Sequence, residues 1–343
     1  MKKVSLPDPK QFFREATPEG KLKVLVAIAA RAPSYCNIQP WRVKIAGRTI
    51  EVFANFQKEL PCTDPKRRQL YISMGCFLEH LTAAAAAFSL RFQLTLFPNP
   101  SSQETHIARF LVAQFSPAGK EEKECCQEAM RALLARRNSL LPFTAQLPPV
   151  AFLQWARALS DDELNVAFVT DPAGRNAIVE AGTAAIADAL AQEGVQKEFR
   201  EVVGHSLSLQ CNSAVEYSTL QQLLRKFLLA ARGHTKSFAA HQKRIVARFL
   251  RYTPAFGIVS TSTDDVGAWV RAGIAFEKIA IRAERKGIRT GIYSFPVEVG
   301  RYYEILQDAA GTLFRPQVLF RIGYSKVRPH LTPRLPVARL FLK

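Results

Sequence analysis

Two stretches far apart in this chain carry the same pattern. Gly75-x-x-Leu78-Glu79-x-Leu81-x-x-x-Ala85 matches Gly273-x-x-Phe276-Glu277-x-Ile279-x-x-x-Ala283. Both have helical spacing, and both put small residues on the apolar side, where a second helix can approach closely. Each leads toward an expected strand, Phe92 to Phe97 in the first copy and Gly291 to Phe295 in the second. A duplicated chain would fold as two related halves. Any two Ala-rich amphipathic helices would also align this well, so duplication and coincidence both stand at this level.

The joint between halves falls near residues 117 to 145. Ser116-Pro117-Ala118-Gly119 breaks the chain after an expected strand His106 to Phe115, and a charged helix from about Lys120 to Arg137 follows. The expected first half is 1–117 and the second 118–343. Leu22 to Ala30 has helical spacing, and Trp41 to Phe53 alternates like a strand. Further helices are expected at Arg175 to Glu193, Tyr217 to Ala231 and His241 to Tyr252, the last with Ile245, Val246, Phe249 and Leu250 on its apolar side. Short strands are expected at Asn165 to Thr170, Phe256 to Ser260 and Val318 to Ile322. Strands and helices intermix throughout, which is α+β or α/β, and no low-complexity linker separates the halves.

Composition narrows the function by exclusion. Of 343 residues, 48% are hydrophobic, enough for a sizeable core. No apolar run reaches membrane-spanning length. The stretch before Leu22 contains Pro7, Asp8, Glu15 and Glu19 and does not read as a basic leader, so the expected location is the cytosol. Six scattered cysteines form no C-x-x-C or zinc-like spacing, and no metal site is expected. The phosphate-loop, nucleophile-elbow and dinucleotide fingerprints are absent. Net charge is +18, from 47 basic against 29 acidic residues. No acid occurs between Glu216 and Asp264, or after Asp308. Localised positive charge attracts phosphates. Nucleic acid or an anionic membrane could use the basic stretch 225 to 251, although its aromatics read better as core and its charges as a solvated face.

The run Ala32-Pro-Ser-Tyr-Cys-Asn-Ile-Gln-Pro-Trp41 joins a helix end to a strand. Asn37 and Gln39 offer amide donors and acceptors side by side, a set that can read the edge of a flat heterocycle. A turn built from Pro, Ser and Asn is the plainer reading. The run resembles the APS-x-x-N-x-QPW segment of the FMN-binding nitroreductase family. Three more segments resemble it too. Asp64-Pro-x-Arg67-Arg68-x-x-x-Ile72-Ser73-x-Gly75-x-x-Leu78 is similar to a run of Acg-like relatives. Arg136-Arg137-Asn138-Ser139-Leu140-Leu141-Pro142-Phe143 is similar to the family's arginine-rich opening segment. Pro316 to Tyr324, continuing to Thr332-Pro333-Arg334-Leu335-Pro336, is similar to its closing strand and terminal R-x-P.

That resemblance implies an α+β nitroreductase-like fold, with antiparallel or mixed sheets flanked by helices. An ordinary member carries both the arginine and the Asn-Gln segments and is a homodimer. Here they are divided between halves, which implies one chain imitating a dimer around one shared flavin site. A monomer and a further homodimer both remain open. The resemblance places Arg136 and Arg334 on the FMN phosphate, with Asn138 or Ser139 adding a neutral donor. It places Ser34, Asn37 and Gln39 on the ring edge or ribityl chain, and the loop Ser294-Phe295-Pro296 beside the reactive flavin nitrogen. Relatives carry a second arginine where this chain has Leu140 or Leu141. The implied activity is NAD(P)H oxidation with a quinone or nitroaromatic-like acceptor, by hydride transfer through FMN with no catalytic side chain required. The long basic stretch of about 201–253 implies a lid. A lid that closes argues instead for flavin sequestration or sensing with little turnover.

Overall fold

The computed structural model describes residues 6–99, 101, 105–115, 120–139, 141–208, 235–329 and 331–342. Two four-stranded antiparallel sheets form the frame, each bracketing one long central helix. In the first half, α1 (Gln11–Arg14) and α2 (Pro18–Ala29) precede β1 (Trp41–Ala46) and β2 (Thr49–Ala54). Then come α3 (Arg68–Ala87), β3 (Arg91–Leu96) and β4 (His106–Gln114). The helices α4 (Lys120–Ala135) and α5 (Val150–Arg157) lead into the second half. There β5 (Leu164–Val169) is followed by α6 (Pro172–Ala191), α7 (Glu193–Ser208) and α8 (Thr235–Arg251). The half closes with β6 (Ala255–Thr261), α9 (Val266–Arg285), β7 (Arg289–Ile292), α10 (Phe295–Glu298), α11 (Tyr303–Ala310) and β8 (Arg315–Gly323).

The sheets run β1-β2-β4-β3 and β5-β6-β8-β7, one order written twice. All pairings within them are antiparallel, so the mixed alternative drops out. Among the described residues, parallel contacts occur only as single bridges, Val43 to Phe341 and Asn138 to Thr290. Trp41 to Phe53 is two strands rather than one. Gly47, at φ 56°, and Arg48 form the tight turn between them.

The repeat is real and has a two-fold relation at its centre. A Cβ on Gly75 would overlap the Val270 carbonyl oxygen, and a Cβ on Gly273 would overlap the Ile72 carbonyl oxygen. The numbering shift that relates Gly75 to Gly273 also relates Ile72 to Val270. It relates Tyr71 to Trp269, whose rings lie 5.9 Å apart. Both helices are therefore pressed backbone to backbone at glycines, for want of a side chain between them. One hydrophobic cluster runs through both halves, from Leu22 and Phe77 to Phe276 and Phe320. α3 is apolar nearly all round because it lies inside this cluster, as a fully buried helix must be.

A smaller cluster joins Val169, Ile178, Leu190, Val246, Phe249, Leu250 and Tyr293. The expected apolar side of α8 is therefore core. The part of the basic lid-like stretch from 209 to 234, with the expected helix Tyr217 to Ala231, lies outside the described residues.

Candidate functional site

The Asn-Gln segment is a strained turn. α2 ends at Ala29, and a 3-10 turn spans Tyr35–Asn37. Cys36, Asn37 and Gln39 hold φ of 48°, 58° and 53°, in the left-handed region. Side chains seldom occupy that region without fixed partners, and strain of this kind gathers at binding sites. The partners are present. Ser34 Oγ accepts from Gln39 N at 2.9 Å, and Tyr35 N donates to Ser73 Oγ at 3.0 Å.

The C-terminal segment crosses from the second sheet to this turn. Leu342 N donates to Val43 O at 2.8 Å, pinning the tail beside β1. Arg334 Nη1 donates to Asn37 Oδ1 at 3.0 Å, and its Nη2 donates to the carbonyls of Arg31 and Ala32 at 3.0 and 3.1 Å. Asn37 Nδ2 donates to Pro333 O at 3.2 Å, and Gln39 Oε1 accepts from Leu335 N at 2.8 Å. Gln39 Nε2 donates to Asn37 O at 3.2 Å. Asn37, Gln39 and Arg334, expected from opposite halves, thus meet at one junction. All four polar atoms of the two amides are engaged by the protein itself.

Of the arginine pair, Arg136 turns inward. It is 3% exposed, and its Nε lies 2.9 Å from Glu277 Oε1, while Nη2 donates to Asn138 Oδ1 at 3.1 Å. Arg137 faces the junction instead. It donates Nε–H to Ala135 O at 2.9 Å and Nη1–H to Pro329 O, and its charge acts on Arg31. Asn138 bridges to Thr290, and Ser139 is fully buried with its N–H on Thr290 O at 2.8 Å. That segment is held by Arg321, a fully buried residue of β8. Arg321 Nε donates to Thr253 Oγ1 at 2.7 Å and Nη2 to Leu141 O at 3.0 Å. Burial pushes its pKa down to about 9. Leu140 lies outside the described residues.

The loop after β7 reaches the junction from the other side. Ser294 is buried and its carbonyl accepts from Val297 N at 2.8 Å, while Phe295 and Pro296 open α10. Glu298 Oε1 accepts from Gln69 Nε2 at 2.7 Å. Gln69 O accepts from Ser73 Oγ, which holds Tyr35 N, so a continuous hydrogen-bonded path links this loop to the Asn-Gln turn. The surroundings are acidic. Burial and Glu298 push Asp64 up to about 7, and burial also raises Glu298. Burial and Glu198 push the Cys36 thiol up to about 12, which disfavours its thiolate.

Reading the sequence missed Arg31, Arg137's part and Arg321. Arg31 did leave a signal, as a cation directly after the apolar run ending in Ala30 and before Pro33.

No protein-family model matches the chain. A protein of Mycobacterium tuberculosis (strain ATCC 25618 / H37Rv) named "Putative NAD(P)H nitroreductase acg" is 25% identical over 334 residues, covering 93% of this chain and 95% of that one. "Uncharacterized protein Rv3127" of the same organism is 25% identical over 346 residues, covering 92% and 91%. Among solved structures, a nitroreductase with bound FMN from Desulfitobacterium hafniense is 15% identical. It covers 61% of this chain and 94% of that one, with a TM-score of 0.39. Over nearly its full length the chain is thus similar, at 25% identity, to a protein named as a putative NAD(P)H nitroreductase. In this chain one polypeptide supplies two sheets of the same strand order.

Proposed function

We propose that the protein is an FMN-dependent NAD(P)H oxidoreductase whose acceptor is a quinone, nitroaromatic or similar small molecule. The observation that carries this reading is the meeting of Arg334 from one half with Asn37 and Gln39 from the other. The full-length relative named for NAD(P)H nitroreduction supports it. The residues suit FMN at its phosphate end. Arg31 and Arg334 are guanidiniums on neutral acceptors, one of them with a buried, unpartnered Nε, and Arg137 lies within electrostatic reach. When bound, the flavin supplies two-electron transfer between a nicotinamide and the acceptor. Arg334 would bind and orient the phosphate with paired, charge-assisted hydrogen bonds. Ser34 and the loop Ser294-Phe295-Pro296 would fix the ring. Asn37 and Gln39 reach the ring edge only if the 333–335 segment yields its bonds to them.

That last point favours a second reading, a flavin-holding protein with little turnover, since the tail already closes on the amides. One experiment separates the two. The protein is supplemented with FMN, desalted, and scanned in the visible before and after anaerobic NADPH or NADH. Retained flavin that bleaches quickly is the expected result. Retained flavin that stays oxidised selects sequestration or sensing, and no retained flavin sinks both.

A further inference from the structure

The internal two-fold contains an unequal pair. The shift that relates Gly75 to Gly273 also relates Glu79 to Glu277 and His80 to Lys278. Glu277 is fully buried and closed off, with Arg136 Nε and His80 Nδ1 each 2.9 Å from its Oε1. Glu79 is placed differently. Its carboxylate accepts from Thr82 Oγ1 at 3.3 Å, and it lines a cleft of about 520 Å³ beside α3, α4, α5 and α9. Burial raises its pKa to about 7 against the pull of the Lys278 charge, so near neutral pH it can hold a proton and donate a hydrogen bond. Cations line much of the rest. Lys278, Arg282, Arg285 and Lys286 follow one face of α9 along the cleft, and Glu128 of α4 is a second acid on its wall. Among the described residues, none of these four cations is in ion-pair contact with a carboxylate. The neighbouring acid Glu284 is taken by Arg289 at 2.5 Å and Arg328 at 3.1 Å. Arg282 Cζ lies 4.0 Å from the centre of the Trp155 ring. Such stacking uses the flat face of a guanidinium and leaves its N–H edge for another acceptor. Cations in the last turn of a helix meet its dipole. That accounts for the charges of Arg282 and Arg285, and not for a half-buried carboxyl opening on a void.

We propose that this cleft is a second ligand site, for a small, flat organic carboxylate. It shares no lining residue with the junction of the 31–39 turn and the C-terminal segment, and the inference does not depend on flavin. The Trp155 indole and the guanidinium stacked on it give a planar wall, and Ile281 adds apolar surface. Arg282 and Arg285 offer paired N–H donors that match a carboxylate, while Lys278 and Lys286 supply charge. Protonated Glu79 adds a donor on the more buried side. The volume is that of a small-molecule site and not of a macromolecular surface.

The test is calorimetric titration of the full chain with benzoate, isophthalate and indole-3-acetate, each against its neutral amide. The expected result is saturable binding of at least one acid and not of its amide, with affinity about ten- to hundredfold lower in Arg282→Met. Arg48→Met removes an exposed cation from the β1–β2 turn and should leave the affinity unchanged. Equal losses in the two variants would mean that net charge and not the cleft attracts the anion, and the proposal fails. If none of the acids binds saturably, it is overturned as well. Should Arg282→Met not fold, Lys286→Gln carries the same comparison with a smaller expected loss. Saturating FMN should not displace the acid. Displacement would merge this cleft with the junction and overturn the assignment of a second site.

Discussion

Glu277 lies at the centre of the molecule with no exposed surface. His80 Nδ1 and Arg136 Nε both lie 2.9 Å from its Oε1. Arg136 therefore serves the core and not the junction, whereas its neighbour Arg137 donates to the Pro329 carbonyl of the C-terminal segment. Such a network is costly to break on one side, because the other charge stays buried. Glu277→Gln should lose about 3–5 kcal/mol, read as a lower denaturant midpoint. Pairing it with Arg136→Met should recover part of the loss. An unchanged midpoint in the single variant would show that Arg136 finds another counter-charge. The sequence did not reveal this role. An arginine pair looks the same whether its members face a phosphate or a glutamate some 140 residues away in the chain, and only packing chooses between them.

At the scale of elements, the start of α3 depends on Asp64. Arg67 sits at φ 59° and offers no side-chain cap. Asp64 instead accepts from Gln69 N at 3.1 Å and Leu70 N at 2.9 Å, satisfying donors that a helix start leaves open. Burial and Glu298 raise its pKa from 3.8 to about 7. The folded state then binds a proton that the unfolded state has released, so this group's stability is full below pH 3.8 and is lost as pH rises through about 7. Burial also raises Glu298 and takes Glu79 to about 7, and both add the same sign. The measurement is therefore a difference. Melting temperature followed across that window should fall less steeply with pH for Asp64→Asn than for the wild type. Parallel curves would remove Asp64 as a cause. Most element types were legible from periodicity and turn chemistry. The turn at Gly47 was not, because alternation continues across it and only the glycine marks the break. The cap at Asp64 was also hidden, since it lies four residues ahead of the helix it serves.

For the whole molecule, the decisive contact is the glycine crossing of α3 and α9. Gly75→Ala or Gly273→Ala must push a methyl group into a carbonyl oxygen of the partner helix. Each should cost about 3 kcal/mol or more, seen as a lower unfolding midpoint with both halves lost together. A substitution tolerated at either glycine would mean the helices can separate there freely. The repeat raised duplication as one of two readings that spacing left standing, and the Asn-Gln and R-x-P segments contained three residues that meet at the junction. What no local pattern could supply was which cations would face one another across it. The same geometry has a consequence in time. Arg31 and Thr332 are 301 residues apart in the chain. At about 5–20 residues per second of synthesis, the first part of the junction waits roughly 15 to 60 s for the second. The turn at 35–39 emerges long before the segment that satisfies its amides. The junction then closes late in the life of each new chain, after the tail has left the ribosome and found β1, and a messenger truncated near its end would yield a nearly complete body whose junction stays open.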